Sequence, residues 1–206
     1  MKPGILVVDL IDTNQMKSCL DSIFGQFYYA DGRLTNPRRD SKGFSIRDHP
    51  DASEYRLQEL GIARVKKLLE FGSRHNLPIC GTQAKEDDID YYHLLAKEFA
   101  KHVGEGRMIN KPHDDSFKDT ELHEKLQRDG VTDLVVAGYN LQVCVIKTVR
   151  SAVELGYRVI TSPEYMFWDV VAFDIEGELE TLQRITDFHK TADGVLSHLE
   201  KAVGGK

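Results

Sequence analysis

The sequence predicts an α/β protein built on a parallel sheet with helices on both faces. Two observations carry that expectation. Short apolar runs alternate along the chain with amphipathic helical stretches. The runs are also continuously apolar, as strands buried on both faces are, and do not alternate with polar residues. Right-handed crossovers are then expected between successive strands.

Ile5-Leu6-Val7-Val8 is a β-branched run ending at Asp9 and reads as the first strand. A helical stretch from about Glu54 to His75 follows, with Ile62, Val65 and Leu69 on one face. Leu77 to Thr82 reads as the second strand, and Arg107-Met108-Ile109-Asn110 as a short third one. Leu134-Val135-Val136-Ala137-Gly138 is the clearest central strand, entered through the turn Asp129-Gly130. From Cys144 to Leu155 the spacing predicts a helix with Val145, Val149 and Ala152 inward and Lys147, Arg150 and Glu154 outward. Gly156 ends it as a C′ residue, and Tyr157-Arg158-Val159-Ile160 starts the next strand. A helix around Glu178 to Arg184, a short strand near Ile185 to Phe188 and a helix from Ala192 to about Ala202 complete the series.

A chain of 206 residues fills one domain and is too short for two ordinary ones, so residues 1–206 are read as a single unit. With 41% hydrophobic and 29% charged residues, the composition is that of a soluble globular protein. The net charge of −6 argues against a nucleic-acid partner held on a basic face. No apolar stretch approaches the length of a membrane span, and the first residues lack the features of a signal peptide. The expectation is a cytoplasmic monomer unit that can assemble into oligomers.

One segment breaks the rhythm. Residues 13–53 form a connection of about 40 residues, where strand-to-helix loops usually have about 2–6. It holds Phe24, Phe27, Tyr28 and Tyr29 together with Arg33, Arg38, Arg39, Lys42 and Arg47. Leaving the C-terminal end of the first strand, it is placed to cover a ligand crevice. A solvated insertion or an oligomer contact fits the same residues.

Cys19, Cys80 and Cys144 are an odd number at wide spacing, which suits neither a disulfide framework nor a metal knuckle. Cys80 falls mid-strand and reads as core. Cys19 falls in the long connection. Cys144 opens its helix directly after the central strand. Asp9, Lys111 and Cys144 each lie at or just beyond the C-terminal end of a predicted strand, where open α/β sheets place their ligands. Their chemistry is complementary: a thiol attacks best as thiolate, a helix N-terminus and a neighbouring cation favour that form, and a carboxylate can carry the proton. Each also has an ordinary explanation, since an Asp caps helices, a Lys is usually solvated and a lone Cys is usually core.

ILVVD at the start, INKPHDDSFKDTELHEKL in the middle, DLVVAGYNLQVCVIKTVRSAVELGYRVI after it and TADGVLSHL near the end are specific in combination. On these segments the chain resembles the isochorismatase-like cysteine hydrolases over nearly its whole length. The register places Lys111 and Phe117 in the middle segment. It places Gly138, Cys144, Val145, Thr148, Ala152, Gly156 and Tyr157 in the next. The resemblance implies a three-layer α/β/α sandwich on a mostly parallel, doubly wound, Rossmann-like sheet of about six strands. It implies an Asp9-Lys111-Cys144 triad acting through a covalent cysteine intermediate, with the backbone N–H groups of Asn140 and Cys144 as oxyanion hole. It further implies a non-proline cis peptide between Tyr139 and Asn140, and assembly into dimers or tetramers. Tyr139, Leu141, Phe117 and Trp168 are the expected pocket positions. The alternative for Trp168 and its neighbour Phe167 is packing between subunits.

Two departures narrow the chemistry. The nicotinamidase branch of the family has an Asp-x-His metal motif after the second strand, and Thr82-Gln83-Ala84-Lys85-Glu86 stands there instead. Asp48-His49 falls in the long connection, and Asp90 with His93 is a weak pair by spacing. No metal and no cofactor are expected. Leu10-Ile11-Asp12 replaces the Met-Gln-Asn of many relatives, which changes the pocket. Relatives that cleave a vinyl ether commonly lack the cysteine. Its presence points to hydrolysis of a C–N bond in a small amide, carbamoyl or ureido compound. Vinyl-ether cleavage and a catalytically silent binding or redox-sensing protein are the rival readings.

Overall fold

A computed structural model describes residues 1–9, 33–34, 44–45, 51–84, 97–104, 106–167 and 175–204. In chain order the elements are β1 (Pro3–Val8), β2 (Arg33–Leu34), β3 (Phe44–Ser45), α1 (Asp51–Arg74), β4 (Ile79–Ala84), α2 (Lys97–Ala100) and β5 (Met108–Lys111). Then come α3 (Leu122–Arg128), β6 (Asp133–Gly138), a π-helical turn (Leu141–Val145), α4 (Ile146–Glu154) and β7 (Arg158–Thr161). A 3₁₀ turn (Pro163–Tyr165), α5 (Ile175–Ile185), β8 (Asp187–Phe188) and α6 (Ala192–Gly204) close the series.

The strands other than β2 and β3 form one six-stranded sheet in the order β5-β4-β1-β6-β7-β8, and every pairing in it is parallel. Numbered along the chain, this order is 3-2-1-4-5-6, the doubly wound arrangement, with its switch point between β1 and β6. The period-two alternation of each strand feeds two cores. Ile5, Val7, Val135, Ala137 and Ile160 meet α1 and α6 through Val65, Leu68, Leu69, Val195 and Leu199. Leu6, Val8, Leu134, Val136 and Val159 meet α3, α4 and α5 through Leu122, Leu126, Val149, Ala152 and Leu182. Three layers follow from these contacts, and the chain has the expected α/β/α fold. Cys80 is a core residue of the α4 side.

Several boundaries differ from the expectation. The first helix begins at Asp51, inside the stretch read as connection, and Arg33–Leu34 pairs antiparallel with Phe44–Ser45 within it. The 13–53 segment otherwise lies outside the described residues, with Cys19, Asp48 and His49; so do Glu86, Asp90, His93 and Trp168. None of the described helices is long and apolar enough to cross a membrane. The helix read from Cys144 instead starts as a π turn at Leu141. The cause is Asn140, whose side-chain oxygen accepts the Gln142 amide and caps the helix before the cysteine is reached. At the other end, the Gly156 and Tyr157 amides return to Val153 and Ala152, and Gly156 has φ +88°. This is a Schellman ending, and it confirms the C′ reading.

Gly138 governs the approach to the switch point. Its φ is +155°, and a Cβ there would stand 2.2 Å from the Val8 carbonyl oxygen. Only glycine lets the end of β6 lie so close to the end of β1. Beside it the Tyr139 amide donates to that same Val8 oxygen at 2.9 Å.

Candidate active site

The close approach of β1 and β6 brings three loop entries into one crevice. Asp9 follows β1 with φ +47°, a left-handed conformation that Asp tolerates better than most residues, and its amide donates to Thr82 on β4. Lys111 is the last residue of β5. Cys144 lies in the π turn beyond β6. The Lys111 Nζ stands 2.7 Å from Asp9 Oδ2, with both side chains almost wholly buried. The thiol of Cys144 interacts with both, through hydrogen bonding and charge. The structure therefore brings together three residues that lie up to 135 positions apart in the sequence.

The electrostatics of the three differ from the simple expectation of an activated thiolate. Burial pushes the Cys144 thiol up to about 12, the Asp9 charge pushes the same way, and Lys111 opposes them. For Lys111, burial works to lower the pKa, yet the charges of Asp9 and Cys144 outweigh it and the group stands above its ordinary value. The cation is thus committed first to the carboxylate. The thiol at rest is protonated.

In the loop 112–121 the sequence singles out only Phe117, and the contacts of its other residues are what sequence reasoning missed. Asp114 turns its carboxylate toward the thiol, with Cys144 Sγ 3.9 Å from Oδ1, while its other oxygen takes Lys147 Nζ at 2.5 Å. The carbonyls of His113 and Asp114 accept from the Lys111 ammonium at 3.2 and 3.3 Å. Ser151 Oγ donates to Asp115 Oδ2, and the Ser116 amide donates to Thr148 Oγ1 at 3.0 Å. Thr82, Ser116 and Thr148 form a fully buried hydroxyl cluster linking β4, the loop and α4. Three consecutive loop residues are therefore pinned to one helix face. Helical spacing predicts Lys147 only as an outward residue. Thr148 carried the one signal available, an inward hydroxyl on an apolar helix face.

The pocket positions are placed unevenly. Leu141 is fully buried in the core on the α4 side, and Tyr139 is half-buried against the core on the other side. Phe117 stacks on Tyr157 with ring centroids 5.9 Å apart, in the core that Cys144 also touches. Phe167 is fully buried against Gly61 on α1, so its role is internal packing. Its carbonyl holds the Leu141 amide at 2.8 Å, which fastens the π turn to the strand end. The peptide joining Tyr139 to Asn140 is cis.

This arrangement defines a class before it defines a relative: a doubly wound fold with a carboxylate, an ammonium and a thiol at its switch point. The family model described as Isochorismatase domain matches residues 58–164, and the chain belongs to that family. The streptothricin hydrolase of Streptomyces noursei is 45% identical over 53 residues, which cover 26% of this chain and 19% of that protein. The chain thus matches about a fifth of that relative's length. Among solved structures, the N-carbamoylsarcosine amidase of Thermoplasma acidophilum is similar with a TM-score of 0.60 at 18% identity, covering 94% of this chain and 98% of that one. An isochorismatase-like hydrolase from Alkaliphilus metalliredigens has a TM-score of 0.63 at 18% identity, covering 97% and 100%. At that identity the two structures speak for the fold.

Proposed function

We propose that this protein hydrolyses a C–N bond in a small amide, carbamoyl or ureido compound through a covalent intermediate on Cys144. The observation that carries the reading is the buried contact of the thiol with an Asp9 carboxylate already paired to Lys111. The names of two similar proteins, a streptothricin hydrolase and an N-carbamoylsarcosine amidase, support the same bond class.

Because the resting thiol is protonated, attack and deprotonation are concerted. As Cys144 Sγ bonds to the substrate carbonyl carbon, its proton passes to Asp9. The negative charge on the carbonyl oxygen is received by the backbone N–H groups of Asn140 and Cys144. The tetrahedral adduct then collapses. Asp9 returns the proton to the leaving nitrogen, the C–N bond breaks, and the acyl or carbamoyl group remains on sulfur. Water then attacks that group while Asp9 takes a proton from it, and the released sulfur recovers the proton. Lys111 keeps Asp9 ionised and in place between steps, and the carbonyls of His113 and Asp114 keep Lys111 in place.

A panel of small amides, carbamoyl compounds and ureides, scored for ammonia or amine release, tests the reading. Cys144→Ala should fold normally and show no turnover on any compound the wild type cleaves. Hydrolysis retained in Cys144→Ala would overturn the covalent mechanism. Pyruvate released from isochorismate by both proteins would replace it with vinyl-ether cleavage.

A further inference from the structure

Away from the crevice, at the β8 edge of the sheet, a second group of chemically able side chains converges. Asp187 and His189 are two residues apart on an extended segment and share a face, and the His189 amide prolongs the ladder by donating to Thr161 at 2.9 Å. His198 comes from α6, its ring 5.3 Å from that of His189 between centroids. One donor atom from each of the three lies within 4.8 Å of the others. We propose that Asp187, His189 and His198 form a binding site for a divalent transition-metal ion of the zinc type. Two strands, β7 and β6, separate it from the switch point.

Geometry is the first argument. Ligand atoms about 2.0–2.1 Å from a tetrahedral ion stand about 3.3 Å apart. His189 Nε2 is already 3.4 Å from Asp187 Oδ1, and His198 Nδ1 is 3.9 Å from Asp187 Oδ2. Both imidazole–carboxylate distances are thus close to that spacing, all three donors lie within 4.8 Å of one another, and a fourth position is left for water. The donor chemistry is the second argument: two imidazoles and one carboxylate suit zinc and its neighbours, whereas magnesium prefers an all-oxygen shell. The third is His189 Nε2 itself. That atom is buried and has no hydrogen-bond partner among the described residues, despite the nearby carboxylate. An imidazole nitrogen buried this way, with its lone-pair direction unclaimed by a donor, is disposed as a ligand.

Arg158 is the competing occupant. Its Nη2 lies 2.8 Å from His198 Nε2 and 3.8 Å from Asp187 Oδ2. A guanidinium only donates, so His198 Nε2 accepts, and the neutral ring then carries its proton on Nδ1. Metal at Nδ1 requires that proton to move to Nε2, which turns the Nη2 contact into two opposed donors and releases it. Arg158 remains anchored through its Nε, 2.8 Å from Asp133 Oδ1. Binding is therefore an exchange of one hydrogen bond for a metal–nitrogen bond.

The test is zinc uptake by equilibrium dialysis with thermal unfolding, comparing wild type with His189→Gln/His198→Gln. Glutamine keeps an oxygen for Arg158 to donate to but offers no imidazole, so a purely structural clamp survives the change. All other histidines and thiols are the same in both proteins, which isolates this cluster. The wild type should take up one more equivalent of zinc than the double variant and gain a zinc-dependent rise in Tm, with no uptake of magnesium at the same concentration. Equal zinc uptake in the two proteins would overturn the site and leave the cluster as a clamp for Arg158. Equal uptake of magnesium and zinc by the wild type would overturn its transition-metal character.

Discussion

The Lys111 ammonium stands 2.7 Å from the Asp9 carboxylate, and both side chains are withdrawn from solvent. This single contact organises the crevice. It neutralises two charges that could not be buried alone, and it directs the cation to the acid in preference to the sulfur. A buried pair of this kind is costly to break from one side. Lys111→Met is expected to lose about 3–5 kcal/mol of stability in denaturant unfolding, because it strands the Asp9 charge. Asp9→Asn/Lys111→Met should lose clearly less than the sum of the two single changes. Additive losses would mean that the two groups do not act as a pair.

Gly138 gives a second expectation, on backbone contact alone. Alanine would put its Cβ 2.2 Å from the Val8 carbonyl oxygen, a backbone atom that cannot step aside without moving β1. Gly138→Ala should cost about 3 kcal/mol or more, by steric overlap and by the unfavourable φ. A variant with wild-type unfolding behaviour would show that the two strand ends do not approach so closely.

These two cases also show what was readable beforehand. Asp9, Lys111 and Cys144 could be placed at one sheet edge because hydrophobic runs mark strand ends, and the family resemblance then singled them out as a triad. Layering was legible for the same reason, since Val145, Val149 and Ala152 announce an inward helix face. The strand order was not, because periodicity says which face a residue occupies and nothing about which strand lies beside it. The grip of α4 on the 112–121 loop was not either: Asp114, Asp115 and Ser116 have no period, and their partners are about 30 residues away. The protonated thiol depended on the depth of burial, which only the fold reveals.

Arg107 and Asp129 supply a pH test outside the crevice. The guanidinium is bidentate on the carboxylate, with Nη2 2.8 Å from Oδ1 and a second bond from Nη1 to Oδ2. The bond from Arg107 holds the Asp129 pKa below its ordinary 3.8. A depressed carboxylate stabilises the fold above the unfolded pKa, and that contribution is lost as pH falls through the lower folded value. Wild type should therefore lose more stability than Asp129→Asn between pH 5 and the acid range below 3.8. Parallel stability curves for the two proteins would remove this pair from the acid response.

The thiol itself provides the sharpest check on the electrostatics. With burial and Asp9 holding Cys144 near 12, the thiolate fraction grows about tenfold per pH unit throughout the neutral and mildly alkaline range. Alkylation of Cys144 by iodoacetamide, followed by peptide mass spectrometry, should rise with that slope from about pH 7 to 10 and reach no plateau there. Asp114→Asn removes a charge 3.9 Å from the sulfur, so it should raise the rate at every pH. The increase will be moderate, because Asp114 is half-exposed and Lys147 already screens it. Asp9→Asn should raise the rate further, since its charge is buried and acts on the thiol more strongly than that of Asp114. The same substitution should abolish turnover, because the proton then has no acceptor. Faster alkylation with lost hydrolysis is the signature of a carboxylate that suppresses the resting thiolate and still serves as its base. A plateau below about pH 9 in the wild type would show instead that Lys111 stabilises a thiolate directly, and attack would no longer need to be concerted with proton transfer.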